Sequence, residues 1–410
     1  MKILYNILMY VVAFHLKGIA LFNEKIRLGV KGRADTFNVL KDKITSVDNL
    51  IWFHCASLGE YEQGLPVFEE LKKLFPDYKI VMSFFSPSGF EIRKSNPITD
   101  IVVYLPLDTK HNAKTFLDLV HPELVVFVKY EIWPNYLNEL NRRKIKSFLI
   151  SALFRKDQGF FKFYGALMRK SLNAFEHFFV QNETSKKLLN SIGFNNITIS
   201  GDTRFDRVSN QLRIYNTLDF IAQFKQNKLC VVAGSTWSED EALLIDYINS
   251  ASNDLKFVIA PHNIKSNQIE DLKNSIQKRV ILFSEKEKLE VSNYQVFIID
   301  TIGLLSKIYS YADIVFVGGA VGKTGLHNTL EPAAFGVPII IGENYKKFPE
   351  AHKMIENGGM YSISNQMELN STLDSLILNT EKRVQSGKAN SLYISINRGA
   401  VIQIVDFIRK

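Results

Sequence analysis

From Leu50 onward the chain alternates short apolar runs with amphipathic stretches. The runs Ile51–Cys55, Lys79–Phe84, Ile101–Tyr104, Leu124–Lys129, Ser147–Ile150 and His177–Val180 read as strands covered on both faces, since a solvated face would put a polar residue at every second position. Between them Leu65–Leu74, Ala113–Val120, Asn135–Arg143 and Glu183–Ser191 repeat apolar residues at helical spacing. Such alternation predicts an α/β chain with a doubly wound parallel sheet. Asp206 to Lys228 is polar and lacks a buried-strand pattern, so it reads as a linker. A second alternation follows through Leu229–Ala233, Phe257–Ala260, Arg279–Leu282, Val296–Ile299, Ile314–Val317 and Pro338–Ile341. The expected organisation is residues 31–208 as a first Rossmann-like domain, 209–228 as linker and 229–394 as a second such domain. A last helix within 395–410, Ser395–Arg409, is expected to pack back on the first domain. Two such domains facing each other leave a cleft between their strand ends, where a site is expected.

Upstream, residues 3–22 are the most apolar segment, interrupted by Asn6, His15 and Lys17 and followed by Lys25, Arg27, Lys31 and Arg33. We read residues 1–30 as a membrane anchor with a basic flank, either spanning marginally or lying in the interface, against a buried core helix. The 410 residues carry a formal net charge of +8, which suits an anionic partner. No RNA-binding signature or basic arm accompanies the charge, so nucleic acid is not expected. Cys55 and Cys230 lie in separate apolar runs, which suits a reducing compartment. No H-x-x-x-H, paired C-x-x-C or D-x-D occurs, and neither a metal nor a cofactor is expected.

Chemistry concentrates at the carboxyl ends of the strand runs. After Ile51–Cys55 comes Ala56-Ser57-Leu58-Gly59-Glu60. Gly64 and Pro66 suggest a helix starting several residues later, which leaves Glu60 free as a general base; the alternative is a helix cap with Ser57. Glu131 closes the fourth run ahead of Trp133-Pro134-Asn135, either supporting Glu60 or contacting the acceptor, or simply solvated. In Gly201-Asp202-Thr203-Arg204-Phe205-Asp206, Arg204 suits a phosphate or oxyanion with Asp206 orienting it; a surface ion pair is the alternative. Gly234-Ser235-Thr236 offers amides and hydroxyls at a helix start, a place for an anion. Ala260-Pro261-His262 and Ile302-Gly303-Leu304 hold corresponding strand-end positions. Ile314 to Gly342 joins two buried strands through Gly318, Gly319, Gly322 and Gly325 and a short helix opened by Asn328-Thr329-Leu330-Glu331. Gly322-Lys323-Thr324 is not a phosphate-binding P-loop, because Val317 stands where the first glycine is needed. Asn328 and Glu331 read either as a capping box or as ligand contacts, Glu331 to a ribose.

Together these motifs resemble the Kdo transferases, the 3-deoxy-D-manno-octulosonic acid transferases of lipopolysaccharide synthesis. The resemblance rests on Ala56 to Glu60, Glu131 to Asn135, Gly201 to Asp206, Ala233 to Thr236 and His327 to Gly336, in the family's order. It implies the two-lobed GT-B fold and an inverting, metal-independent transfer of Kdo from CMP-Kdo to a lipid A precursor on the cytoplasmic face of the inner membrane. It makes Glu60 the general base, with Glu131 and Arg204 helping the transition state. Pro261, His262, Ile302 to Leu304 and Asn328 to Glu331 would surround CMP. His262 and Leu304 stand where the family usually has arginine and glutamate, Arg204 where it has lysine, and Leu326 where it has glycine. The competing readings are another GT-B enzyme using a UDP-sugar, either a transferase or a 2-epimerase, and a non-catalytic membrane-attached interaction protein.

Overall fold

Apolar runs with no polar face need cover on both sides, and the fold supplies it twice. The computed structural model describes residues 2–410, with the side chain of Lys2 left aside. In the first sheet the strands are β1 (Leu50–Cys55), β2 (Lys79–Phe84), β3 (Ile101–Tyr104), β4 (Leu124–Val128), β5 (Lys146–Ala152), β6 (His177–Val180) and β7 (Ile197–Ile199). All pairings are parallel and the order is β3-β2-β1-β4-β5-β6-β7. One face buries Trp52, Val81, Val125 and Phe127, the other Phe53, Met82, Val126 and Val128. The second sheet takes β8 (Leu229–Thr236), β9 (Leu255–Pro261), β10 (Val280–Leu282), β11 (Val296–Ile298), β12 (Ile314–Val317), β13 (Ile339–Gly342) and β14 (Met360–Ile363). It too is parallel throughout, in the order β10-β11-β9-β8-β12-β13-β14.

The two sheets belong to two compact units. One ends at Arg207 and takes back Arg398–Lys410; the other is Val208–Asn397. Returning residues form the helix Ala400–Ile408, whose Ile404 and Ile408 join the core under β1, β2, β4 and β5. Phe407 sets its ring against Phe148, His177 and Phe179. The expected single helix Ser395–Arg409 is instead the end of Thr380–Asn397 and a separate Ala400–Ile408, because Gly399 at φ 111° takes a left-handed turn between them. Short strands β7 and β14 were not anticipated, since three residues and the half-polar Met360-Tyr361-Ser362-Ile363 give no buried-run signal.

Two helices precede β1: α1 (Lys2–Ile19) and α2 (Glu24–Lys43). No helix of the described residues is long and apolar enough to cross a membrane. Of the four cations after α1, Arg33 does not face outward as expected. Its guanidinium lies 4.5 Å over the Phe85 ring and donates to the carbonyls of Phe85 and Leu105, because a donor fork buried beside bare carbonyls is worth more there than in water.

The helix α3 (Leu58–Leu74) begins well before the expected Leu65 and runs through Pro66. Proline costs a helix one backbone bond. Here Tyr61, Val67, Phe68 and Leu71 are buried against the sheet and hold the helix through it. Gly64 permits that packing: a Cβ there would stand 2.4 Å from Phe68 and 2.9 Å from Val128.

Candidate active site

Doubly wound sheets offer ligand sites off their carboxyl strand ends, at the point where strand order reverses. In the first sheet the reversal falls between β1 and β4, the strands that lead into Glu60 and Glu131. In the second it falls between β8, which ends in Ser235-Thr236, and β12, which leads into the glycine-rich loop.

Because α3 starts early, Glu60 occupies its first turn and is not free as expected. It is 6% exposed, and its carboxylate accepts the Ala56 amide at 2.5 Å, while Ser57 at the cap makes no side-chain bond. Half of the capping alternative is therefore real. Burial, and then the charge of Glu131, raise the Glu60 pKa to about 7, against the opposing pull of the Ala56 and Ser57 amides and of Lys129. A carboxylate so placed can accept a proton near neutral pH, which a solvated glutamate does poorly.

Glu131 stands 3.8 Å from Nε2 of the buried His54. The Trp133 indole donates to that same Nε2 at 3.0 Å, so Nδ1 carries the imidazole proton and donates it to Ser83 Oγ at 2.8 Å. Trp52 Nε1 donates to the same hydroxyl at 2.7 Å. His54 thus holds Trp133 beside Glu131. It was missed in the sequence, although a histidine within an apolar strand, with a serine opposite it in β2, marks the pair. Lys129 was missed too. It sits just past β4 at φ 64°, a left-handed conformation that an L side chain adopts only when its surroundings impose it, and its charge acts on Glu60.

Arg204 donates through Nε to Asp202 Oδ2 at 2.8 Å, and Asp202 Oδ1 accepts from Gln63 of α3 at 2.7 Å. The helix that carries Glu60 therefore also anchors the arginine. Sequence reasoning gave the orienting part to Asp206, whose carboxylate instead accepts the Gly399 and Ala400 amides.

In the second unit Gly234, Ser235 and Thr236 lie within β8, with Ser235 at φ 56° and a register shift against β9. The helix start beyond them is acidic. Thr236 donates to Glu241 at 2.8 Å, and Asp240 Oδ2 accepts the amides of Trp237 at 2.9 Å and Gly319 at 2.8 Å. An anion there would compete with Asp240. Gly319 is required by the loop itself, since at its φ of 94° a Cβ would meet the Gly325 carbonyl at 2.2 Å. Pro261 ends β9, and the His262 ring stacks on Trp237 at 4.7 Å and meets His327 at 4.5 Å. Trp237 Nε1 donates to His327 Nε2 at 2.9 Å; burial, then His262, push the His327 pKa down to about 4, so it stays neutral. Asn328 accepts the Leu330 amide and donates to Glu331, both at 3.0 Å, ahead of the helix Leu330–Ala334 with Thr329 at its cap. Ile302 is exposed, and Gly303 (φ 89°) leads into Leu304 at the cap of Leu305–Ile308. Among the described residues no group of three or more His, Cys, Asp or Glu is arranged to hold a metal ion.

Each of the two doubly wound parallel units thus gathers polar groups at its own reversal point, the buried Glu60 carboxylate in one and the glycine-rich loop after β12 in the other. Residues 27–207 match the family model described as 3-Deoxy-D-manno-octulosonic-acid transferase (kdotransferase), a span that holds Glu60, Glu131 and Arg204. The 3-deoxy-D-manno-octulosonic acid transferase of Haemophilus influenzae is 29% identical over 378 residues, 88% of this chain and 86% of that one. That of Aquifex aeolicus is 25% identical, covering 82% and 88%. Among solved structures the UDP-GlcNAc 2-epimerase of Neisseria meningitidis covers 88% of this chain and 99% of its own at a TM-score of 0.61; at 15% identity that likeness speaks for the fold alone. The chain is a glycosyltransferase. Its relatives over most of its length are Kdo transferases, as the motifs implied.

Proposed function

We propose that this chain transfers Kdo from CMP-Kdo to a lipid A precursor of the lipid IVA type, with inversion and without a metal, at the cytoplasmic face of the inner membrane. The observation that carries the chemistry is the buried Glu60 beside Glu131, with a pKa near 7. In this reading the Glu60 carboxylate takes the proton of an acceptor hydroxyl as its oxygen bonds to the anomeric carbon. The bond from that carbon to the phosphate breaks, and CMP leaves with the electron pair. Cationic groups answer the charge that develops, Arg204 and Lys129 being those at hand in the same unit. Metal independence rests on the family resemblance and on a sequence without D-x-D. The donor is assigned to the second unit, with Asn328 orienting Glu331 toward a ribose hydroxyl and the His262 ring exposed beside Trp237. Membrane attachment is assigned to α1, whose Ile3, Leu4, Ile7, Leu8 and Phe14 are exposed, lying in the interface with Lys25, Arg27 and Lys31 against anionic head groups.

The direct test is product mass spectrometry with CMP-Kdo and a tetraacylated, phosphorylated lipid A precursor, beside a thermal-shift comparison of CMP with UDP. Stabilisation by UDP and not CMP would sink the donor assignment and favour a UDP-sugar enzyme. For the donor site, Glu331→Ala should weaken CMP binding by about 1–3 kcal/mol, because a ribose hydroxyl loses a charge-assisted bond. Unchanged CMP affinity with a lower Tm would leave Glu331 a helix-start residue only.

A further inference from the structure

The helix that follows Glu131 is capped from outside its own segment. Pro134–Arg143 has Trp133 at its cap, and Trp133 supplies no side-chain acceptor. The amides of Asn135 and Tyr136 are taken instead by the carboxylate of Asp108, at 3.0 Å each. Asp108 lies past β3, is 0% exposed, and also accepts the Tyr5 hydroxyl of α1 at 2.7 Å. The Asn135 side chain donates to the Asp108 carbonyl at 2.6 Å and to Asn6 of α1 at 3.0 Å. A buried carboxylate is stable only while its donors are in place. The donors to Asp108 come from two elements, Tyr5 on α1 and Asn135 and Tyr136 at the start of the helix, so this one carboxylate ties α1 to the helix start. One residue before that start, Trp133 holds His54, and Glu131 stands beside both.

We propose that Asp108 is a positioning residue for the Glu131 loop and that Tyr5 completes its donor set, so that the seating of α1 sets how Glu60 works. The proposal rests on the reading of Glu60 as the base. Asp108 touches no substrate in it; it acts through the helix start. The titratable neighbours are Tyr5 on α1 and Tyr136 around Asp108, Tyr136 in turn feeling the charge of Arg33 on α2, and Glu131 and Lys129 from the β4 end together with Cys55 on β1 around Glu60. Release of the loop moves Glu131 away from Glu60 and removes part of what holds its proton on.

The test compares full-length wild type, Tyr5→Phe and Asp108→Asn, with CMP-Kdo and a lipid A precursor in detergent micelles, and follows amide hydrogen exchange at Asn135 and Tyr136. Tyr5→Phe keeps the ring and removes one hydroxyl, so it remains informative if Asp108→Asn does not fold. Expected in Tyr5→Phe are faster exchange at both amides, a kcat lower by about ten- to a hundredfold as a displaced group would give, a KM for CMP-Kdo close to wild type, and an acid limb of the pH profile moved to lower pH. Wild-type kcat and pH profile in Tyr5→Phe would overturn the proposal even if Tm falls, leaving Asp108 a helix cap and nothing more. A wild-type chain that transfers no Kdo would overturn the reading of Glu60 and this proposal with it, whereas transfer that survives Tyr5→Phe unchanged overturns the positioning role alone.

Discussion

As the proposed base, Glu60 shows what accepting a proton at neutral pH asks of a fold. Its carboxyl is kept protonated to about pH 7 by burial and by Glu131, so the ionised form that catalysis needs is the form the fold disfavours. Activity should therefore rise as pH passes upward through about 7, and kcat/KM measured from pH 5 to 9 checks it; an acid limb near the ordinary carboxylate range would contradict the site. Stability runs the other way. A raised folded pKa gives stability that is complete below the unfolded value of 4.5 and is lost as pH rises through about 7. Glu60→Gln, which keeps an oxygen for the Ala56 amide, should lower transfer by about 10²–10⁴-fold. It should also raise stability at pH 8 by up to about 3 kcal/mol, the worth of the shift, with little effect at pH 4. A Tm that drops at both pH values would show the capping role to be the main one. Sequence reasoning found this carboxylate from its place after a strand, but not its burial. Burial follows from α3 starting at Leu58, which is settled by the packing of Tyr61 and Phe68 and not by any residue between 56 and 60.

At the scale of elements, what was legible is what depends on local pattern. All the strands but β7 and β14 were found where a continuous apolar run met cover on both faces, to within a few residues at each end. What depends on distant partners was not legible. Pro66 argued for a break that tertiary contacts overrode, and the last helix was divided by Gly399. The cap of the Ala400–Ile408 helix shows the same dependence: Gly399 offers no side chain, so Asp206 supplies the acceptor from 193 residues away, at 2.8 Å to the Gly399 amide and 3.1 Å to that of Ala400. Asp206→Ala should cost about 1–2 kcal/mol, as loss of a helix cap does. Hydrogen exchange should quicken first at the start of that helix and only later in β1 and β4. Unchanged exchange at Ala400 would mean that packing of Ile404 and Ile408 alone holds the helix.

For the molecule as a whole, the proposed lipid acceptor has to be met at a surface, and α1 divides that task between its two faces. Tyr5, Asn6 and Met9 face inward, the first two bonded to Asp108 and Asn135. Ile3, Leu4, Ile7, Leu8 and Phe14 face out and are 54–78% exposed. Lys25, Arg27 and Lys31 are exposed on α2, while Arg33 is withdrawn onto Phe85. Three cations at an anionic surface contribute about 3 kcal/mol together, falling with salt, and the apolar face adds a part that salt does not screen. Replacing the five outward residues by serine and the three cations by glutamine should therefore free the chain from anionic vesicles in a sedimentation assay. The apparent KM for the lipid should rise, with kcat and the KM for CMP-Kdo held. Removing residues 1–22 would be a different experiment, since it also takes Tyr5 and Asn6 and should lower kcat. If the outward-face variant still pellets with vesicles at high salt, α1 is not what meets the membrane.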